Sequence, residues 1–270
     1  MDESRSQPVK RLWRPHELSG IEVLHAANVR YSRDDQVVYR GYVVKIAVAG
    51  APAAMRYRGQ VVEPAAVGTV TVIEPDELLQ SWGTQTTASY QVLFVDADTM
   101  STENGSRPRF PLAHRDDRAL WQRLRTFHGG LAAGEDALTA QCSLTGILAD
   151  MVHRHATGPA TGQEPPPPGL RAARDLLHDR LDANLTLDEL SDAAGCGKRH
   201  LLRAFTDTYG APPHAYRNMV RLAAAKRMLA GGRTAADAAA EVGFYDQSQL
   251  NRHFRRVWGI SAGTYARSLR

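Results

Sequence analysis

The sequence predicts an α+β protein of two domains. The first is a β-barrel or jelly roll with two trailing helices; the second is all-α, two helix-turn-helix units joined by a long helix. Three observations predict this. The hydrophobic period is two before about residue 110 and 3.6 after it. Four consecutive prolines in TGPATGQEPPPPG (157–169) interrupt the chain, and such a run prefers an extended conformation to a helix. The last hundred residues repeat themselves. The expected bounds are 1–156 for the first domain, 157–169 for the linker and 170–270 for the second domain.

In GYVVKIAVAG (41–50), Tyr42, Val44, Ile46 and Val48 share one face, and GTVTVIEP and SYQVLFVD alternate in the same way. Gly50-Ala51-Pro52, Arg58-Gly59-Gln60 and Glu74-Pro75-Asp76 are turn signals between these stretches, the pattern of a sandwich or barrel. After Phe110, LAHRDDRALWQRLRTFH and EDALTAQCSLTGILADMVHRH read as two amphipathic helices. The second carries an apolar stripe of Leu138, Leu144, Ile147, Leu148, Met151 and Val152. Such a stripe covers either the protein's own sheet or a second copy of the chain, and the sequence leaves both readings open. Beyond the prolines, Thr186-Leu187-Asp188-Glu189 is a capping box. Gly195 and Gly197 end the helix it starts, and the next helix runs from Lys198 to about Tyr209. Pro212-Pro213 opens a longer one that Ala230-Gly231-Gly232 closes.

A shift of 49 residues brings Leu201 onto Leu250, Arg203 onto Arg252, Phe205 onto Phe254, Gly210 onto Gly259 and Tyr216 onto Tyr265. Each copy is helix, glycine-containing turn, helix. At about 100° per residue, Leu201 and Phe205 occupy the same sector as Leu250 and Phe254. The polar sector beside it holds Arg199 and Arg203 in the first copy, and Gln247, Asn251, Arg255, Ser248 and Arg252 in the second. A lone basic helix face is usually solvated; two in phase, each behind a glycine turn, point to DNA. The major groove admits one helix, and Arg and Asn or Gln match guanine and adenine edges. The intervening helix is long enough to hold two reading helices about one DNA turn apart.

Charge supports this division. Residues 170–270 hold 16 Lys and Arg against 10 Asp and Glu, and the remainder holds 17 against 19. The basic half suits a polyanion. No apolar run approaches the length of a membrane span, and the first residues have no signal-peptide core, so a cytoplasmic protein with no membrane partner is expected. Cys142 and Cys196 fit no metal spacing and read as reduced thiols. Neither has an activating pattern beside it, which argues against the rival reading of an enzyme fused to a DNA-binding domain, such as an alkyl-transfer repair protein.

The stretch AAEVGFYDQSQLNRHFRRVWGISAGTYARS resembles the signature of the AraC/XylS family of bacterial transcription regulators, over about a hundred residues. The resemblance implies DNA-binding positions at Arg199, Arg203, Gln247, Ser248, Asn251 and Arg252, with Leu202 where the family prefers a polar residue. It also puts Pro where Ala262 stands and Arg where Ala266 stands. The first domain resembles the family's cupin-type sensor barrel more weakly, along YRGYVVKIAVAGAPAAMRYRGQVVEPAAVGTVTVIEPDELLQSWG. That resemblance implies a small-molecule effector, homodimerisation through the trailing helices, and transcriptional activation with RNA polymerase as a partner on promoter DNA. It places Trp82 and Tyr90 at effector-contact positions; Arg33, with Arg40, stands where an anionic effector would be met. Leu79 and Gln80 replace the histidines of metal-binding barrels, and His25 stands alone in the barrel region, so no metal and no cofactor are expected. A regulator that senses no ligand, with a first domain serving dimerisation or a protein partner, is the alternative.

Overall fold

The structure is a computed structural model, which describes residues 8–30, 35–50, 53–82, 87–101, 107–111, 113–156, 166–183 and 185–269. The strands are β1 (Val9–Trp13), β2 (Ile21–Arg30), β3 (Asp35–Val38), β4 (Tyr42–Ala49), β5 (Met55–Tyr57), β6 (Gln60–Val62), β7 (Thr69–Ile73), β8 (Leu78–Ser81), β9 (Thr87–Val95) and β10 (His114–Asp116). The helices are α1 (Arg118–Ala133), α2 (Ala137–His155), α3 (Pro168–Asp179), α4 (Leu187–Ala194), α5 (Lys198–Tyr209), α6 (Pro213–Ala230), α7 (Ala235–Glu241), α8 (Gln247–Trp258) and α9 (Ala262–Ser268).

The fold class is the expected one, with one change: among the described residues the sheet does not close into a barrel. Six strands pair in the order β1-β2-β9-β4-β7-β10, and four more in the order β3-β8-β5-β6. The two sheets face each other through Val29, Val43, Ile73, Tyr90 and Val92 on one side and Met55 and Tyr57 on the other. Alternation along β4 explains the layering. Tyr42, Val44 and Ile46 point away from the small sheet into a core shared with Leu120, Leu124, Ile147 and Met151 of α1 and α2. Val43 points the other way. The large sheet is therefore covered on both faces, and the period of two marks which layer each side chain joins rather than buried against exposed.

That packing decides between the two readings of the α2 stripe. Leu144, Ile147, Leu148 and Met151 are buried inside their own protomer, while Leu138 is exposed. The stripe covers the sheet and is not left over for a second copy. The first helix starts later than its sequence suggests: His114–Asp116 pairs with β7 as β10, and Asp117 caps α1 by accepting from the Leu120 amide at 2.9 Å.

Residues 157–165 of the expected linker lie outside the described residues; Pro168 already sits in the first turn of α3, where its missing N–H costs nothing. The capping box at Thr186 forms as read, with Glu189 returning to the Thr186 amide at 2.8 Å. α6 belongs to both helix-turn-helix cores. Tyr216, Met219 and Val220 join Leu201 and Phe205; Leu222, Ala225 and Leu229 join Leu250 and Phe254.

The domains meet directly. Val38 and Leu78 of the small sheet insert into the first helical core beside Phe205 and Tyr216. The Tyr216 hydroxyl donates to the Asp76 carbonyl at 3.2 Å, and His178, which contacts Arg40, shares a hydrogen bond with Tyr216 at 3.1 Å. At the second unit, the buried Glu22 carboxylate of β2 binds Arg14 at 2.6 Å and also receives Lys226 of α6 and the Tyr265 hydroxyl of α9.

Candidate nucleic-acid interface and sensor cavity

α5 and α8 are built alike. Both have twelve residues, and both end at a glycine in the left-handed conformation, Gly210 with φ 77° and Gly259 with φ 75°. A side chain is strained in that conformation, so the glycines end the two helices at matching points. Leu201, Phe205, Leu250 and Phe254 are fully buried. With those anchors fixed, Arg199, Arg203, Ser248 and Arg252 stand exposed away from them, and Gln247 stands exposed at the edge of the anchor side. Arg203 has only a loose contact with Asp207, at 4.0 Å. The turn before α8 is held from both directions: the Asp246 carboxylate accepts from the Gln249 amide at 2.7 Å, and the Gln249 side chain accepts from the Tyr245 amide at 2.8 Å. α6, at 18 residues, spans roughly 27 Å between the two units.

Asn251 is placed differently from the other five. It is half-buried, and its side-chain oxygen accepts from the Ala262 amide at 3.0 Å. The family pattern puts proline at 262, which has no N–H. With alanine there, a fully buried amide needs an acceptor, and Asn251 provides it. One departure from the pattern thus occupies a residue expected at the DNA.

Between the two sheets and the second helical unit lies a cavity of about 600 Å³. Its wall is apolar and aromatic, with Val43, Met55, Leu79, Tyr39, Tyr90 and Phe94 from the sheets. Arg255, Arg256, Trp258 and Ile260, from the end of α8 and the turn after it, complete the wall. Six Lys and Arg line the cavity, and no Asp or Glu does among the described residues. Lys45, in the middle of β4, has its ammonium 4.5 Å from the Tyr90 ring, and burial pushes it down to about 8. The Trp258 indole N–H is buried without an acceptor among the described residues.

Of the expected effector residues, Tyr90 lines this cavity. Trp82 does not: Leu79 and Ser81 of β8 face the cavity, so by alternation Trp82 turns the other way, where Arg56 lies over its ring at 5.8 Å. Arg33 lies outside the described residues. Arg40 binds Asp76 at 3.1 Å, at the contact with α3, rather than the cavity. Sequence reasoning missed Lys45, although the signal was present: a lysine inside VVKIAV is out of place on a strand buried on both faces. It also missed Glu22 and Lys226, which are far apart in sequence and carry no motif.

His25 is not alone in space. It bonds His128 of α1 at 3.0 Å, and Trp13 packs on it edge-on. Burial, then the neighbouring His25, hold His128 down at about 3. No group of three or more metal-ligating side chains occurs among the described residues, and no helix there is long and apolar enough to cross a membrane. Both cysteines are free.

The helix-turn-helix domain family matches residues 190–268. An HTH-type transcriptional regulator of Bacillus subtilis, YbfI, is 28% identical over 171 residues, 61% of this chain and 62% of that protein. The transcriptional activator NphR of a Rhodococcus species is 33% identical over 96 residues, 35% of this chain and 28% of that protein. The chain therefore spans less than two thirds of either relative. Among solved structures, ToxT from Vibrio cholerae O395 superposes with a TM-score of 0.52 at 10% identity, over 93% of this chain and 99% of that one. Wild-type ToxT from another Vibrio cholerae strain, with a bound unsaturated fatty acid, gives 0.51 at 11% identity, over 95% and 98%. At these identities the likeness is one of fold: a sheet domain followed by a helical domain.

Proposed function

We propose, from the premise that residues 190–268 are a helix-turn-helix domain of the AraC type, that this chain is a sequence-specific transcriptional regulator switched by an organic anion with an apolar body. The observation that carries the DNA reading is the pair of in-phase helices, α5 and α8, with exposed arginines opposite buried anchors. Arg199 and Arg203 read one major-groove segment; Gln247, Ser248 and Arg252 read the next, with Asn251 supporting the turn to α9. The sensing part rests on the cavity, whose aromatic wall suits an apolar body and whose cations and spare indole N–H suit an acceptor-bearing anion. Because α8 closes that cavity, a ligand in it touches the helix that reads DNA. The bound fatty acid of ToxT is an amphiphile of this general kind in a protein of the same fold. Activation through RNA polymerase and assembly as a homodimer belong to the same reading, but the dimer must use a surface other than the buried α2 stripe.

Two experiments test it. Sites selected from random duplex DNA should lose about 1–3 kcal/mol of affinity in Arg203→Ala and in Arg252→Ala, each relaxing preference at one position. Equal losses on scrambled DNA would reduce that arginine to a phosphate contact. Thermal shifts of the full chain should rise with aromatic and aliphatic carboxylates and not with neutral sugars. Stabilisation by sugars alone would overturn the anion assignment.

A further inference from the structure

α5 holds an apolar strip inside the sector that faces DNA. Leu201 goes fully into the core, but its neighbour Leu202 is 38% exposed. On the helical wheel Leu202 falls near 40°, with Arg199 near 100° and Arg203 near 140°. One turn on, near 80°, Thr206 donates its hydroxyl to the Leu202 carbonyl at 2.7 Å. That bond uses the hydroxyl within the helix. The outward sector of α5 therefore holds the Arg199 and Arg203 guanidinium groups with the Leu202 side chain beside them.

The corresponding position in α8 is Asn251, whose oxygen is taken by the Ala262 amide. In α5 the same position has no hydrogen-bonding group at all. A polar side chain there would read an amide or carbonyl on a base edge; leucine can read only an apolar feature. In the major groove one base presents such a feature, the 5-methyl group of thymine.

We infer that Leu202 is a specificity-determining residue that reads the 5-methyl of one thymine next to a guanine bound by Arg199 or Arg203. This assignment rests on the DNA reading above and adds to it a base identity that no arginine supplies. It gives the two reading helices different alphabets: methyl and guanine for α5, hydrogen-bonding edges for α8.

The test uses the full chain and a duplex selected by it from random sequence. Each thymine in the half-site read by α5 is replaced in turn by uracil, which removes the methyl and nothing else. For the wild-type protein one replacement should weaken binding about fourfold, the worth of a single buried methyl. Leu202→Ala should bind the thymine site more weakly and be indifferent to uracil at that position, while still responding to changes at the guanines. Leu202→Gln should shift preference there toward adenine. Leu202 is not a core residue, so circular dichroism of both variants should match wild type. If uracil affects Leu202→Ala and wild type alike at every position, the assignment is overturned while the DNA reading stands. If the wild-type chain selects no site at all, the DNA reading fails and takes the assignment with it.

Discussion

Replacing Lys226 with methionine should weaken the join between the sheets of the first domain and the helices of the second, and the size of the effect follows from Glu22. The Glu22 side chain is buried. Burial alone would raise its carboxyl, but Lys226 first, then Tyr265 and Arg14, hold it at about 2 instead of 4.5. At about 1.4 kcal/mol per tenfold in proton affinity, that fall corresponds to about 3 kcal/mol in favour of the ionised, paired state. Lys226 is the strongest partner, so a coupling of about 2 kcal/mol is expected in a cycle of Glu22→Gln, Lys226→Met and the double variant. Each single change should cost more than this, because it leaves the opposite charge buried and short of a partner; the double change should recover part of the loss. Urea unfolding followed by circular dichroism and tryptophan fluorescence measures it. A folded-state carboxyl lowered from 4.5 to about 2 stabilises fully above 4.5 and loses that contribution as the pH falls toward 2, so the coupling should disappear over that window. A coupling below about 0.5 kcal/mol at neutral pH, or one that persists at pH 2, would refute the argument.

Binding of an anionic ligand should be tightest below pH 8 and weaken above it, because Lys45 near 8 loses its charge there; isothermal titration in buffers of differing ionisation heat should detect proton uptake on binding. His128, held neutral by burial at about 3 instead of 6.5, should cost about 2 kcal/mol of stability as the pH falls from 6.5 to 5, since the unfolded chain takes up the proton and the folded one does not; His128→Phe should flatten that slope in acid-titration melts. Asn251→Ala should destabilise by about 1–3 kcal/mol by orphaning the Ala262 amide, and the same change in an Ala262→Pro background should cost almost nothing by thermal denaturation. Leu148→Glu should yield unfolded or aggregated protein rather than folded monomer, since Leu148 lies in the core of its own protomer; a folded, soluble variant by sedimentation and circular dichroism would show that the α2 stripe is not needed there.

The helical half of the protein was largely legible in its sequence. A capping box, the glycines after α5 and α8 and the repeat of Leu201 and Phe205 in Leu250 and Phe254 are local signals, and local signals determine helix ends and faces. The outward position of Arg199, Arg203, Gln247, Ser248 and Arg252 follows from helical periodicity once the anchors are buried. What periodicity could not decide was anything that depends on a second neighbour. Alternation in β4 sorted its side chains into two sets, but only the packed structure shows that both sets are covered, one by α1 and α2 and the other by the small sheet. The α2 stripe looked the same whether it met a sheet or another protomer, because one apolar face carries no label for its partner. Trp82 and Ser81 are adjacent in sequence and point to opposite sides, so a one-residue difference moved the expected aromatic out of the cavity. Glu22, Lys226 and Tyr265 come together from positions more than two hundred residues apart at the extremes, and the Asn251 side-chain oxygen accepts from the Ala262 amide. Contacts of this kind arise from buried polar groups seeking partners, and only tertiary structure determines which partner each one finds.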